Sequence, residues 1–149
     1  PEYIYIKNKE LGTYSDDEKE VKVIAGKYKD IEGPEKNHNV EPIYFHIVLK
    51  NEKEFSCEVP DGHNSFIYLL KGQVKVGKAN HEKTTDSNLI LLKHGENLQV
   101  KAEKESEFLF IAGKPIGEPI ARGGPFVMNT KAEIIEAIND YQNGTFAKY

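Results

Sequence analysis

The sequence has very little of the residue types that mark disulfide-rich, nucleic-acid-binding or membrane-spanning proteins. Cys57 is the single cysteine among 149 residues, which excludes an intramolecular disulfide and every metal site built from several cysteines. The 24 acidic residues outnumber the 20 basic ones and no basic run occurs, which argues against a nucleic-acid backbone as the principal partner. No apolar run approaches about 18 residues and no signal-peptide pattern precedes the first expected strand, so we expect a cytoplasmic protein.

What the chain does contain is a series of short strand patterns. In PIYFHIVLK (42–50) every second residue is a large apolar one, which predicts a strand with one fully apolar face. Further strand patterns occupy 3–6, 20–28, 53–59, 65–70, 73–77, 88–93, 97–102 and 107–113. Short strands separated by Gly, Pro, Asp and Asn predict an antiparallel sandwich or barrel. We see no domain boundary and expect one domain over residues 1–149.

The segment from 130 to about 142 predicts a single helix. Thr130 and Glu133 have the spacing of a capping box, and Gly144 stands where a left-handed helix stop is expected. One apolar stripe is formed by Ile134, Ala137, Ile138 and Tyr141. A helix of about twelve residues is too short to be stable alone in water, so we expect the stripe to pack on the outside of the β-body.

The loop before this helix is unusually apolar, and we predict an interface or structural role for it. Its residues are Gly124, Pro125, Phe126, Val127, Met128 and Asn129. They show no strand or helix periodicity. One interpretation is that the loop packs beneath the chain's own helix, and the other is that it takes part in an interface. Both can hold in part, with Phe126 inward and Met128 at the seam of that interface.

Three segments carry a family resemblance. GPFVMNTKAEIIEAINDYQNGTF (124–146) resembles the closing signature of the pirin family, and VPDGHNSFIYLLKGQVKVG (59–77) and FLFIAGKPIGEPIARGGPF (108–126) are similar to the core of its second domain. Pirins consist of two cupin barrels, of which the first holds an iron ion through His and Glu. The resemblance is to the second barrel alone. It implies an all-β fold, a cupin-type double-stranded β-helix (jelly-roll) barrel with a C-terminal helix outside.

The cupin metal-binding boxes can be tested directly on this sequence. With Gly72 as the last glycine of the first box, Ser65 takes the carboxylate position, and the two His positions fall on Val59 and Asp61 or on Glu58 and Pro60. With Gly95 in the second box, Leu98 takes the His position. Imidazole and carboxylate donors are what a cupin metal requires. We therefore expect no metal, no cofactor and no catalytic residue in this barrel.

A different metal site remains as an alternative. His46 on a strand and His63 after an Asp-Gly turn, together with Asp61 or Glu58, are donors that suit Fe, Zn or Ni. The simpler interpretation is that His46 is a half-buried strand residue and that His63 hydrogen-bonds the backbone at its turn. For His38, His81 and His94 we expect solvated loop positions.

Nucleophilic catalysis has little support in the sequence. Cys57 lies between acids in EFSCEV, which predicts a raised thiol pKa and a poor nucleophile. Ser65 and Ser106 have no visible His–Asp arrangement, and no glycine is followed by the Lys-Ser or Lys-Thr of a phosphate loop.

Three functional hypotheses follow. The first is a non-catalytic module that acts by association, as a two-fold homodimer or with a partner cupin or another protein. The second is part of a quercetin dioxygenase-like enzyme whose metal lies in the other barrel. The third is a metal-free carrier of a small apolar ligand, with a cavity lined by Tyr44, Phe66, Tyr68 and Phe110. None of them involves nucleic acid or a membrane.

Overall fold

The structure is a computed structural model that describes residues 5–36, 39–77 and 84–147. It divides into two compact units, which we call unit 1 (Pro1–Pro115) and unit 2 (Ile116–Tyr149). His38 and His81 lie outside the described residues. The expectation of one domain over 1–149 stays a prediction.

Fourteen strands and one α-helix make up the described secondary structure, with a short 3-10 turn at Asn8–Glu10. In chain order they are β1 (Gly12–Ser15), β2 (Lys19–Ala25), β3 (Lys27–Tyr28), β4 (Ile31–Glu32), β5 (Ile43–Leu49), β6 (Glu54–Glu58), β7 (Asn64–Lys71), β8 (Gln73–Val76), β9 (Thr84–Thr85), β10 (Asn88–Leu91), β11 (Asn97–Ala102), β12 (Ser106–Gly113), β13 (Ala121–Gly123), β14 (Phe126–Met128) and α1 (Lys131–Asn143).

Unit 1 consists of two antiparallel sheets and a small hairpin. The larger sheet has the order β1-β2-β5-β12-β7-β10, and the smaller one has the order β6-β11-β8-β9. β3 and β4 form the hairpin. The expected strand at 97–102 coincides with β11. The segment expected at 20–28 is divided at Gly26, whose φ is +79°. The strand expected at 3–6 is wrong for its described residues, because Tyr5 and Ile6 lie outside any strand.

The core lies between the two sheets because the inner faces of the longer strands are apolar. On β5 the buried residues are the alternating set read from the sequence, Ile43, Phe45, Ile47 and Leu49. Phe55 of β6 meets Phe108 of β12 edge to face, with ring centroids 6.0 Å apart. Tyr28 stacks on Phe55 at 5.5 Å and so joins the β3–β4 hairpin to the same cluster. The barrel centre is therefore filled with aromatic and branched side chains, as close packing requires.

The outer faces of the two sheets differ in character. The smaller sheet presents polar side chains to solvent along β6 and β11; these are Glu54, Ser56, Glu58, Asn97 and Gln99. The larger sheet carries apolar residues on both faces of β7, where Ile67 and Leu69 point inward and Phe66, Tyr68 and Leu70 point outward. Among the residues that the structure describes, only the larger sheet thus has an apolar exterior.

Unit 2 is a two-stranded hairpin followed by α1. The segment 124–129 is not an irregular loop, which corrects the expectation, because β14 pairs with β13 around a turn at Gly124, whose φ is +55°. Gly123 lies against Ile134 of the helix, where a Cβ would overlap the Ile134 side chain. Phe126 contacts Tyr141 and Phe146, with ring centroids 6.0 and 5.1 Å apart. The hairpin therefore packs beneath the chain's own helix.

The helix ends are those expected from the sequence. The Thr130 hydroxyl accepts the Glu133 N–H at 3.2 Å, and a Glu133 carboxylate oxygen accepts the Thr130 N–H at 2.7 Å. Gly144 is left-handed at φ +72°. Among the described residues no helix has both the length and the apolar character needed to cross a lipid bilayer.

Candidate functional site

The barrel interior has no set of metal donors in the described part of the chain. Of the positions aligned with cupin ligands, Val59 and Leu98 are buried apolar residues, and Ser65 is half-buried. His63 and Ser106 are the only buried polar residues among those described. No group of three or more His, Cys, Asp or Glu able to hold an ion occurs in the described ranges. The described residues of this barrel do not fit an iron ion of the kind that the family holds in its first barrel.

The structure gives His46 and His63 separate partners. His46 points outward from β5, and its Nε2 lies 2.7 Å from Oε1 of Glu107 on β12. His63 is buried, and its Nε2 lies 3.2 Å from the backbone carbonyl of Glu41. Asp61 is exposed in the turn before it, and His94 is exposed as well. The two histidines are therefore not brought together into one site with Asp61.

Cys57 points into unit 1 from β6. Burial raises the pKa of its thiol to about 12, with a smaller contribution from the neighbouring Glu58 carboxylate. The sequence-based reasoning gave the direction but put the acids first, whereas desolvation is the larger cause. A thiol with this pKa is protonated at neutral pH and is a poor nucleophile.

The four residues proposed to line a cavity do not face a common space. Phe110 is fully buried in the core, where it contacts Phe45 at a centroid distance of 6.1 Å. Tyr44, Phe66 and Tyr68 lie on the opposite, outward face of the larger sheet. The carrier hypothesis therefore loses the cavity on which it depended.

These outward aromatic residues belong to a larger apolar surface, which we call the outer face. It consists of two cross-strand rows on β5, β12, β7 and β10, aligned by the sheet register. The first row is Tyr44, Ile111, Phe66 and Leu91, and the second is His46, Leu109, Tyr68 and Leu89. Tyr68 is 37% exposed, Leu89 56% and Leu91 77%. Seven of these eight side chains are aliphatic or aromatic. Contiguous exposed patches of such side chains usually mark interaction sites.

In unit 2 the expected interface residues on β14 alternate between half-buried and exposed positions. Phe126 and Met128 are half-buried, whereas Val127 between them is 61% exposed. Asn129 is held by its amide, which donates to the Glu118 carboxylate and to the Pro119 carbonyl, both at 2.9 Å. Val127, rather than Met128, is the large apolar side chain that this segment leaves open.

A second surface feature of unit 1 is a cleft of about 1130 Å³ beside β6, which we call the edge cleft. Its walls include Ser56, Cys57 and Glu58 of β6 and, opposite, Tyr28 and Lys29 of the β3–β4 hairpin. β6 pairs only with β11 among the described residues, so its other edge faces this cleft. The cleft is therefore bounded on one side by an unpaired strand edge.

Comparison with known proteins decides the family. A family model described as the pirin C-terminal cupin domain matches residues 44–147. The chain belongs to the pirin family. The pirin of Homo sapiens is 36% identical over 147 residues, an alignment that covers 96% of this chain and 50% of that protein. A pirin-like protein of Solanum lycopersicum is 38% identical over 104 residues, which cover 68% of this chain and 36% of the relative.

A solved structure supports the same fold. A crystal structure of quercetin 2,3-dioxygenase from Acinetobacter baumannii superposes with a TM-score of 0.83 at 34% identity, covering 96% of this chain and 50% of that one. The fold is thus the cupin-type jelly roll that was expected, with a C-terminal helix. The chain spans half the length of human pirin and of the Acinetobacter protein.

Sequence reasoning missed both surfaces of this pirin barrel. For the outer face a signal existed, since Phe66, Tyr68 and Leu70 alternate with Ile67 and Leu69 and make both faces of β7 apolar. For the edge of β6 no local signal existed, because strand neighbours are decided by residues far away in the chain.

Proposed function

We propose that this chain is a non-catalytic cupin barrel that acts by association, and that the outer face binds a second cupin barrel. The observation that carries the proposal is the pair of apolar rows, in which Leu89 and Leu91 at one side are more than half exposed. Burying a leucine side chain stabilises a complex by about 1.5–3 kcal/mol. A partner that covers this apolar face and excludes water from it therefore gains binding free energy.

His46 of the outer face and Glu107 beside it support docking rather than oppose it. His46 and Glu107 hydrogen-bond each other at 2.7 Å across β5 and β12. Burial of an unpaired charge is strongly unfavourable. Because these two groups already contact each other, a second barrel can cover them without leaving either side chain with no partner.

The partner that we propose is a second copy of this chain, related by a two-fold axis. In a two-fold pair the same apolar face is used by both copies, and two-fold pairs are the commonest homo-oligomers. A metal-binding pirin barrel, on a separate chain or in the remainder of a longer protein, would use the same face. We place the protein in the cytoplasm, a reducing compartment that suits a chain with one unpaired thiol.

The test is the solution mass at micromolar concentration. We expect twice the chain mass of 16.9 kDa for the unaltered protein, and the chain mass for a Leu89→Lys/Leu91→Lys variant. Tyr5→Lys is the control, because Tyr5 is 72% exposed and belongs neither to the outer face nor to unit 2. A monomeric unaltered protein that also fails to bind a separately expressed metal-binding pirin barrel would contradict the proposal.

We also propose that Val127 contributes to a seam with the partner. Its side chain is 61% exposed at the centre of β14, between two residues that face the helix. Val127→Asp is therefore expected to weaken association, with the helix signal in circular dichroism unchanged. If Val127→Asp associates as the unaltered protein does, the seam is not in unit 2 and the outer face acts alone.

A second candidate function is that of one half of a dioxygenase. It is favoured by the name of the Acinetobacter protein, which is 34% identical over this chain. The metal would then belong to the other barrel, since the interior of this one offers Phe45, Phe108 and Phe110 instead of donors. Iron analysis and quercetin turnover separate the candidates. Turnover by this chain alone with stoichiometric iron would replace the association proposal.

A further inference from the structure

We propose that the free edge of β6 binds an extended segment of a partner polypeptide in which apolar and basic residues alternate, adding a strand to the smaller sheet. The basis is the position of that edge along the edge cleft, with two carboxylates on its outward side. This surface is distinct from the outer face, so the proposal does not depend on the proposed association.

The backbone groups of β6 alternate between β11 and the edge cleft. The N–H of Val59 donates to Glu96 at 2.9 Å, and the carbonyl of Lys53 accepts the Ala102 N–H at 2.9 Å, so odd-numbered residues face β11. The N–H and carbonyl groups of Ser56 and Glu58 consequently point into the cleft. No described residue pairs with them. A strand placed there finds a ladder of donors and acceptors, which is the basis of peptide recognition by strand addition.

One end of this edge is already closed. The Lys19 ammonium donates to the Glu54 carbonyl at 3.3 Å, and the Lys19 side chain is only 11% exposed. This contact occupies the carbonyl at the start of β6 that points toward the edge cleft. The groups from Ser56 to Glu58 remain open, so an added strand is expected to pair over this part of β6.

Charge selects the outward residues of the added strand. Glu54 and Glu58 are exposed on the outward side of β6, and neither forms an ion pair with another described residue. Oppositely charged side chains on neighbouring strands stabilise a sheet, whereas like charges destabilise it. Lysine or arginine is therefore expected at the positions that lie beside these two carboxylates.

The inward residues of the added strand meet a different environment. They would lie over the buried Tyr28 ring and the half-buried Cys57 side chain. The charged residues along the cleft have both signs, since Lys27 and Lys29 are accompanied by Glu32 and Glu35, so they favour neither charge. The buried ring and the thiol favour an apolar side chain at these positions. One face of the added strand thus contacts carboxylates and the other contacts apolar groups, so basic and apolar residues are expected to alternate along it.

The same charges exclude a second copy of β6 as the partner. Antiparallel pairing of two β6 strands around Ser56 would set Glu54 of one copy beside Glu58 of the other. Acidic residues on an exposed edge oppose pairing of that edge with itself. The edge is consequently suited to a different, basic segment.

The test uses the full chain and a fluorescein-labelled seven-residue peptide of alternating lysine and valine, followed by fluorescence anisotropy. We expect saturable binding that weakens about tenfold in Glu54→Gln/Glu58→Gln, since two charge contacts are lost. Ser56→Pro removes one N–H from the cleft side and leaves the bonds to β11 intact, and we expect binding to fall about tenfold or more. Ser56→Ala is the matched control and should bind as the unaltered protein does.

Two further measurements separate strand addition from simple charge attraction. A peptide of the same composition with its lysines in one block and its valines in another should bind at least about tenfold more weakly. Amide hydrogen exchange at Ser56 and Glu58 should slow when the alternating peptide is added to the unaltered protein, which is informative even if Ser56→Pro fails to fold. Equal binding of both peptides, or no added protection at these amides, would overturn the proposal.

Discussion

Gly72 lies so close to Ser106 that only a residue without a side chain fits at position 72. Gly72 joins β7 to β8 at φ +102°, and a Cβ built on it would lie 2.6 Å from Cα of Ser106. The buried Ser106 hydroxyl accepts the Gln73 N–H at 3.0 Å and donates to the Lys104 carbonyl at 2.8 Å. Through this contact the turn between β7 and β8 is held against the start of β12, so that both sheets are fixed at one end of unit 1.

Gly72→Ala is expected to lower the free energy of unfolding by about 1–3 kcal/mol, because a positive φ and a steric overlap are imposed together. Chemical denaturation followed by circular dichroism measures the change. Gly95→Ala is the matched control, since nothing lies within 4 Å of a Cβ at that position. Its effect should stay within about 0.5 kcal/mol. Equal effects of the two substitutions would show that the space beside Ser106 is not restrictive.

Asp16 is expected to make stability depend on pH in the acid range. Its carboxylate accepts the N–H groups of Glu18 and Lys19 at 2.8 and 2.9 Å and the Tyr14 hydroxyl at 2.8 Å. These bonds, the one from Glu18 first, lower the pKa of Asp16 from 3.8 to about 2. Because the folded pKa lies below the unfolded one, the stabilisation is complete above about pH 4 and is lost as the pH falls toward 2.

The Asp16→Asn variant should therefore be less stable at neutral pH and should lose less stability between pH 4 and pH 2 than the unaltered protein. Urea unfolding at a series of pH values measures both effects. Asp17→Asn is the control, because Asp17 is the exposed neighbour that accepts none of these three bonds. If both variants show the same acid profile, the turn at Asp16 is not the cause.

Thr130→Ala is expected to destabilise the start of α1 by about 1 kcal/mol, since the cap hydroxyl is lost from the Glu133 N–H. The hydrogen bond from the Thr130 hydroxyl also lowers the pKa of Glu133, ahead of the one from the Thr130 N–H. Amide hydrogen exchange in the first turn of the helix is the measurement. Thr130→Ser retains the hydroxyl and should restore protection, and failure of this rescue would count against the cap.

Cys57 is expected to react slowly with a thiol reagent in the native protein. Because burial raises the thiol pKa from 9.0 to about 12, the thiolate fraction near neutral pH is about a thousandfold lower than in an unfolded chain. Stopped-flow labelling with and without denaturant measures the ratio. A Cys57→Ser/Ser56→Cys variant, with its thiol at the exposed neighbouring position, should be labelled rapidly when folded. Fast labelling of native Cys57 would contradict the burial.

The alternation of apolar and polar residues in the sequence predicted those strands and the helix that have one apolar and one polar face. β5 was expected at 42–50 and spans Ile43–Leu49, and the helix was expected at 130–142 and spans Lys131–Asn143. No strand was expected at β1, because its residues alternate between half-buried and exposed without a buried position. β13 and β14 are three residues each, too short to show a period, and their pairing depends on the turn at Gly124.

The candidate site was harder to predict than the fold because alternation does not say which face of a strand is inside. Tyr44, Phe66 and Tyr68 were assigned to the interior as large aromatic residues, and they lie outside. On β7 both faces are apolar, so composition could not separate them. The absence of imidazole at the cupin ligand positions could be read directly, because that reasoning needs only the order of residues along a known box.

The unlike exteriors of the two sheets limit how large any assembly of this chain can become. One side of unit 1 is hydrocarbon-rich and the other carries Glu54, Glu58 and Gln99. A molecule with two complementary binding surfaces on opposite sides can form filaments, because each added copy still has one surface free to bind the next. In the dimer that we propose, the apolar faces of the two copies cover each other, so we expect assembly to stop at two copies and no fibres to form.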